Sequence, residues 1–216
     1  QQPDFAGFRI PDSVTWVDQV EHCKLKQKSV YTELLTCFST TPTVQINFTK
    51  KYPSHDLDWE KMYLLPFEVT IDSQTRWFQY KILHNILYIN KSLAKMQIVG
   101  TANCTFYHSE VESLEHLLVS CVFSHRIWVC LSTWLQTLDI SLPSLNEIDI
   151  FFGIQSKVHW QLINHLIIIA KQTIYHARVK DILPSFEVFK SRVASIAKIE
   201  GTVAKSRGKL EIYYQK

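Results

Sequence analysis

The chain has 216 residues, a mass of 25.3 kDa, 46% hydrophobic residues, 20% charged residues and a formal net charge of +3. This length and this hydrophobic fraction allow a buried core and exclude a disordered chain. The 5 Gly and 7 Pro suit long helices better than a many-turned sheet, and the 5 widely spread Cys favour a reducing intracellular compartment over a disulfide framework.

The first 55 residues are expected to be a linker or the tail of a preceding domain. Two prolines in the first eleven residues indicate a loop. Short helices are expected from about Ser13 and over residues 29–38. The alternating run from Val44 to Phe48 predicts a short strand or an extended linker.

A main helical domain is expected over residues 56–200. Its first helix begins near Asp56, Asp58 and Glu60, which are interpreted as groups that complement a helix N-terminus rather than as metal ligands. Pro66 is expected to end this helix, since proline lacks the N–H that an interior position needs.

The next helix, expected over residues 73–90 after the cap Asp72-Ser73, is the central strut of the domain. Its apolar residues cover two adjoining faces, so it should be largely buried. The side chains left for solvent or phosphate are Arg76, Gln79, Lys81 and His84. A second short helix is expected over residues 91–98.

Helical periodicity continues to the end of the domain. Further helices are expected over residues 124–138, 147–152, 158–179 and 185–200. The apolar run 162–170 is far shorter than the roughly 20 residues of a membrane span, so it predicts a core helix. The expected fold class is all-α, a helical bundle-like domain with a small zinc-knuckle-like hairpin.

Residues 104–121 bring together side chains of the types that bind soft metals. Zinc prefers four tetrahedral nitrogen or sulfur ligands, commonly two Cys in a tight turn and then His and Cys from a helix. Cys104, His116 and Cys121 have this spacing, but Tyr107 stands where the second Cys of a Cys-x-x-Cys turn would be. A neutral phenol is a poor zinc ligand at pH 7, so the site is either incomplete or recruits a neighbour. The nearest neighbours are His108 and then His125. The alternative is a helical hairpin whose Cys and His are simply buried.

Five stretches form a larger pattern around this site. They are the run WFQYKILHNIL from Trp77, Cys104-Thr105-Phe106, the run ESLEHLL from Glu112, Cys121 and Trp128. Together they resemble the zinc-binding C-terminal region of LINE-type (non-LTR) retrotransposon reverse transcriptases, over about residues 56–180. The resemblance implies a module that grips RNA or DNA, with any zinc in a structural role. Tyr107 departs from the family's Cys, as a decayed copy of such an element would.

The excess positive charge lies at the C-terminal end. From Lys180 to Lys216 there are eight Lys or Arg and four acids, a net +4, so the rest of the chain is about neutral. The last helix is expected to project its cations outward, ahead of a basic tail that frays over residues 201–216. The expected nucleic-acid contacts are Lys190, Arg192, Lys198, Lys205, Arg207 and Lys209, with Arg76 and Lys81 as further candidates.

No catalytic residue is assigned, and the chain is not expected to be an enzyme. The sequence has no Gly-rich phosphate loop, no paired polymerase aspartates and no Gly-x-Ser-x-Gly. The favoured hypothesis is a sequence-independent RNA- or DNA-binding module, working with the rest of a retrotransposon polyprotein and without a membrane. The alternative is a decayed, inactive helical domain that binds neither metal nor nucleic acid.

Overall fold

The computed structural model describes residues 40–142, 144–154 and 158–208, so the helices expected in the first 38 residues lie outside it. By its contacts the chain divides between Thr43 and Val44, and nearly all the described residues belong to the second unit. The helices are α1 (Thr43–Lys51), α2 (Trp59–Val69), α3 (Ser73–Leu83), α4 (Asn90–Lys95), α5 (Val122–Gln136), α6 (Glu147–Phe152), α7 (Trp160–Val179) and α8 (Phe186–Ser206), with a π-helical turn at His116–Ser120 between α4 and α5. The described residues form no strand, and the expected all-α fold is confirmed.

Helix α7 is the centre of the packing. It contacts α2, α3, α5, α8 and the π-helical turn. Every residue from Leu166 to Ile174 is buried, as expected for a helix that other helices surround on all sides. The predicted core helix is therefore confirmed. Within the described ranges, no helix has the length and apolar character needed to cross a membrane.

Polar caps position the helices that support the site. Asp58 accepts the backbone N–H of Lys61 at 3.1 Å, and Asp72 accepts that of Thr75 at 2.9 Å. Both carboxylates satisfy amides at the start of a helix, which confirms the interpretation of Asp58 as a helix-terminus acid. Helix α6 has its expected bounds, and α5 and α7 begin and end within two residues of theirs.

The predicted short strand or extended linker at residues 44–48 is wrong, because these residues belong to α1. The Phe48 ring is 7% exposed and packs against the rings of Phe151 and Phe152, with centroids 5.9 and 5.1 Å away. Val44 lies one helical turn before Phe48 and also packs on the core. Burial of this face outweighs the strand propensity of the β-branched residues.

The ends of α2 and α3 also differ from prediction. Pro66 lies inside α2, which continues because the Pro66 carbonyl accepts the N–H of Thr70 at 3.3 Å and proline lacks only its own N–H. Helix α3 ends at Leu83 instead of residue 90. Asn85 there has φ 52°, and the N–H of Ile86 donates to Lys81 O at 3.0 Å, a Schellman ending.

Helix α8 is longer than expected and continues through Gly201 to Ser206, so the predicted fraying of the residues just after 200 is wrong. Glu200 is 6% exposed and accepts hydrogen bonds from Thr70 Oγ1 at 2.5 Å and from the N–H of Ile71 at 2.9 Å. This contact fixes α8 against the α2–α3 loop and outweighs the cost of about 1 kcal/mol of a glycine in a helix. Residues 209–216 of the expected basic tail lie outside the described ranges.

Candidate metal centre and basic surface

Cys104, His116 and Cys121 form a buried cluster. Their ligand atoms all lie within 4.8 Å of one another, the two Sγ atoms are 3.9 Å apart, and no member is more than 5% exposed. Two sulfurs bound to one tetrahedral zinc at about 2.3 Å each would be about 3.8 Å apart. Two thiols and one imidazole therefore fit three of the four positions around a zinc ion.

A short hairpin and the π-helical turn bring these residues together. The N–H of Cys104 donates to Glu110 O at 2.7 Å and that of His108 to Cys104 O at 2.8 Å, which closes the hairpin behind Cys104. The N–H of Cys121 donates to His116 O at 2.8 Å, a bond across five residues. In an α-helix residues five apart differ by about 140° around the axis, and the wider π-helical turn reduces this angle. Sequence spacing gave no sign of this turn.

Tyr107 occupies the side of the cluster where a fourth ligand is missing. Its Oη atom lies 3.2 Å from Nε2 of His116, and the two rings are 5.6 Å apart. Desolvation and the nearby Glu110 carboxylate raise the pKa of Tyr107 to about 12. The group next to His116 is therefore a neutral hydroxyl at pH 7, and it supplies no thiolate.

The Glu110 carboxylate lies beside the imidazole ring of His116. Its Oε2 atom is 3.0 Å from His116 Nδ1. An ionised carboxylate only accepts hydrogen bonds, so a neutral imidazole that donates to it would carry its proton on Nδ1 and keep a lone pair on Nε2. Metal-binding histidines are commonly oriented by such a carboxylate. With its proton on Nδ1, His116 would offer to a metal the Nε2 atom that now lies beside the Tyr107 hydroxyl.

His108 and His125 do not join this cluster. His108 is exposed, and its carbonyl accepts a hydrogen bond from the Asn103 side chain at 2.8 Å. His125 is exposed on α5. Among the described residues the group of potential ligands consists of Cys104, His116 and Cys121 alone. The structure therefore brings three of the four predicted metal ligands together and leaves His108 outside.

A buried carboxylate that sequence reasoning missed connects the hairpin to the core. Glu112 is fully buried and accepts four hydrogen bonds, from the N–H of Asn90 at 2.8 Å, from the N–H and hydroxyl of Thr105 at 2.9 and 2.7 Å, and from Nε of Arg178 at 2.9 Å. Burial alone would raise the pKa of Glu112, but these donors and the Arg178 charge hold it below its usual value. The ionised side chain joins the hairpin to α4 and α7.

The predicted phosphate contacts on α8 divide into two groups. Arg192 is half-buried and donates to His176 Nδ1 at 2.7 Å and to Gln172 Oε1 at 2.8 Å, so its predicted outward direction is wrong. Lys190 is paired with Glu187 at 2.8 Å. The exposed cations are Lys198, Lys205 and Arg207. Lys209 lies outside the described residues. Arg76 and Lys81 are on α3, each over an aromatic ring.

Comparison with known proteins gives one family. Residues 38–128 match the family model described as zinc-binding in reverse transcriptase, and this range contains the whole cluster together with Trp128. No curated protein matches the chain. The resemblance drawn from the sequence is therefore confirmed at the level of this family. The similarity to this zinc-binding family of reverse transcriptases therefore covers residues 38–128.

Proposed function

We propose that this chain is the nucleic-acid-binding C-terminal module of a LINE-type retrotransposon reverse transcriptase. The observation that carries the proposal is the buried group of Cys104, His116 and Cys121 inside the range that matches the family. The module works within a longer polyprotein whose other parts supply the polymerase chemistry. No catalytic residue is assigned to it.

Zinc at this site has a structural role in the proposal. Cys104 would hold it from the hairpin, His116 from the π-helical turn, and Cys121 from the start of α5. A bound ion would thus connect the hairpin, the π-helical turn and the start of α5. The three ligands are buried, so the site is closed to bulk solvent, which suits a structural rather than a catalytic zinc.

The proposed contacts with RNA or DNA are made by cations on the last helix. Lys198 and Lys205 are exposed and lie seven residues apart, so they share one face of α8, and the exposed Arg207 follows at its end. Such side chains bind phosphates whatever the base sequence, with an affinity that falls as salt rises. The excess charge at the C-terminal end supports this placement.

A salt titration tests the proposal. Fluorescence anisotropy would measure the affinity of the full chain for a labelled 20-nucleotide RNA between 50 and 200 mM salt, about the range over which phosphate contacts are lost. The triple variant Lys198→Gln, Lys205→Gln, Arg207→Gln should lower the slope of log affinity against log salt by about 2 to 3, at about 0.7 to 0.9 per contact. A control with the same loss of charge replaces three other exposed cations, Lys50, Lys91 and Lys95, by Gln. Equal slopes for the two variants would contradict a contact on α8.

A second candidate function is a relic domain without metal or nucleic-acid binding. The observation in its favour is Tyr107, a neutral hydroxyl in the place of the family's second Cys. The two functions differ in a measurable way, because the relic predicts no affinity for RNA or DNA at low salt and no zinc in the purified chain. Elemental analysis of the chain, together with the titration above, decides between them.

A further inference from the structure

Helices α2 and α3 expose a group of large aromatic side chains. Phe67 is 59% exposed, Trp77 53% and Tyr80 39%. Exposed apolar surface of this kind is unfavourable in water, and a contiguous patch of it commonly marks a binding site. The three rings do not belong to the metal centre.

Aromatic rings follow one another along one face of α3. Trp77 and Tyr80 are stacked with centroids 5.0 Å apart and planes 10° apart, and Tyr80 lies 4.1 Å from the His84 ring. The His84 ring is in turn 5.5 Å from that of Tyr63 on α2, with planes 29° apart. Steps of three and four residues along α3 put these rings on the same face, so the stack is a consequence of the sequence WFQYKILH in a helix.

Three rings of this stack, those of Tyr63, Trp77 and Tyr80, line a groove of about 590 Å³ between α2 and α3. The side chains that define it, called the aromatic groove, are Tyr63, Pro66, Phe67, Trp77, Tyr80 and Leu83. Its volume is within the range of sites that hold small planar groups. Its walls offer ring faces and little hydrogen bonding, so it would recognise a flat apolar surface.

Two cations border the aromatic groove. The Arg76 guanidinium lies 4.8 Å from the centroid of Phe67, and Lys81 Nζ lies 5.5 Å from that of Trp77. Lys81 has no ion pair among the residues that the structure describes. A ligand that suits both features presents flat rings together with negative charge.

We infer that the aromatic groove binds unpaired bases of single-stranded nucleic acid by stacking, with Arg76 and Lys81 beside the phosphates. The inference rests on the proposed function and names a site for it that is separate from the cations of α8. A duplex fits less well, because its bases are stacked on one another and do not offer their faces. An acidic peptide would bring charge without a series of flat rings.

The test compares three labelled probes of equal length with the full chain: a single-stranded oligonucleotide, its duplex, and an abasic strand that keeps the phosphates without the bases. Fluorescence anisotropy at several salt concentrations between about 50 and 200 mM gives the three affinities and their salt slopes. The single strand should bind about five- to 150-fold more tightly than the abasic strand, the range for one stacked base. It should also bind more tightly than the duplex.

Two substitutions locate the site. Tyr80→Leu should remove most of the advantage of the single strand over the abasic strand, while the affinity for the abasic strand and its salt slope stay unchanged. Tyr88→Leu is the matched control, because Tyr88 is also an exposed tyrosine, at 62%, and does not line the groove. It should leave all three affinities unchanged. Circular dichroism of both variants verifies that they are folded.

Several outcomes would overturn the inference. If Tyr80→Leu and Tyr88→Leu bind like the parent chain while binding stays dependent on salt, the aromatic groove is not the site, and the proposed function survives. If the chain binds none of the probes, the inference and the proposed function both fail. If Tyr80→Leu instead abolishes self-association seen by sedimentation of the parent chain, the groove is an interface between copies.

Discussion

Replacing Glu112 by Gln should be among the most destabilising changes in the described chain. The glutamine amide would replace one acceptor oxygen by an NH₂ group, which is a donor. In one orientation of the amide this NH₂ would face the donors of Asn90 and Arg178, and in the other orientation it would face those of Thr105. It would also leave the Arg178 charge, on a side chain only 9% exposed, without its counter-ion. Removing one partner of a buried ion pair typically costs about 3 to 5 kcal/mol. That loss is a large part of the free energy of unfolding of a typical domain, which is about 5 to 15 kcal/mol.

Urea unfolding followed by circular dichroism at pH 7 would measure this loss. Glu110→Gln is the matched control, since this acid is on the same hairpin but 66% exposed, and it should cost less than about 1 kcal/mol. The pKa of Glu112 is lowered in the folded chain, so its stabilisation is present above the ordinary value of 4.5 and is lost as the pH falls below it. The difference between the parent and Glu112→Gln should therefore shrink in acid. A loss no larger than that of Glu110→Gln would refute the reasoning.

Three further predictions concern the cluster, the core and a turn. Tyr107→Cys should bind zinc at least about tenfold more tightly than the parent in competition with a coloured chelator, because a thiolate completes the tetrahedron. Tyr88→Cys, which adds a thiol away from the cluster, should not bind zinc more tightly than the parent. Burial lowers the pKa of Lys171 to about 7, so the unfolded chain binds one more proton than the folded chain between pH 7 and about 10.5. Relative to Lys171→Met, the free energy of unfolding of the parent in urea should therefore rise by up to about 1.4 kcal/mol per pH unit over this interval. Parallel plots of unfolding free energy against pH for the two chains would contradict this. Gly153→Ala should cost about 2 kcal/mol or more, because φ is 93° and the new Cβ would lie 2.5 Å from a leucine side chain, while Gly100→Ala, with nothing within 4 Å, should cost less than about 1 kcal/mol in the same assay.

The periodic segments could be predicted from the sequence, and the ends of several helices could not. Apolar residues at steps of three and four define α5 and α7 because burial of one stripe, or of a whole helix, is what stabilises them. The end of α3 at Asn85 is different. Asn accepts a positive φ at little cost but does not require it, so the Schellman ending depends on how the following chain packs. Pro66 did not end α2, because proline lacks only its own N–H and its carbonyl still accepts the N–H of Thr70.

The candidate site was predictable in its ligand types and not in its geometry. Spacing alone identified Cys104, His116 and Cys121, because zinc chemistry restricts the donors to Cys and His. His108 is exposed because of the path that the backbone takes through the hairpin, and the spacing of residues in the sequence does not predict that path. The π-helical turn likewise has no sequence signature, since it differs from an α-helical turn by one inserted residue.

The sequence by itself determined that this chain is helical and that one long apolar segment is its core. It also determined that Cys104, His116 and Cys121 have the spacing of ligands in a zinc-binding turn. These properties are local, because each depends on residues a few positions apart. The tertiary structure alone decided that Glu112 meets Arg178, 66 residues away, and that Arg192 turns inward to His176. It also decided that Phe48 helps to form the core. Such contacts depend on the relative positions of whole helices, and those positions are set by the sum of all the packing in the domain rather than by the pattern of any one segment.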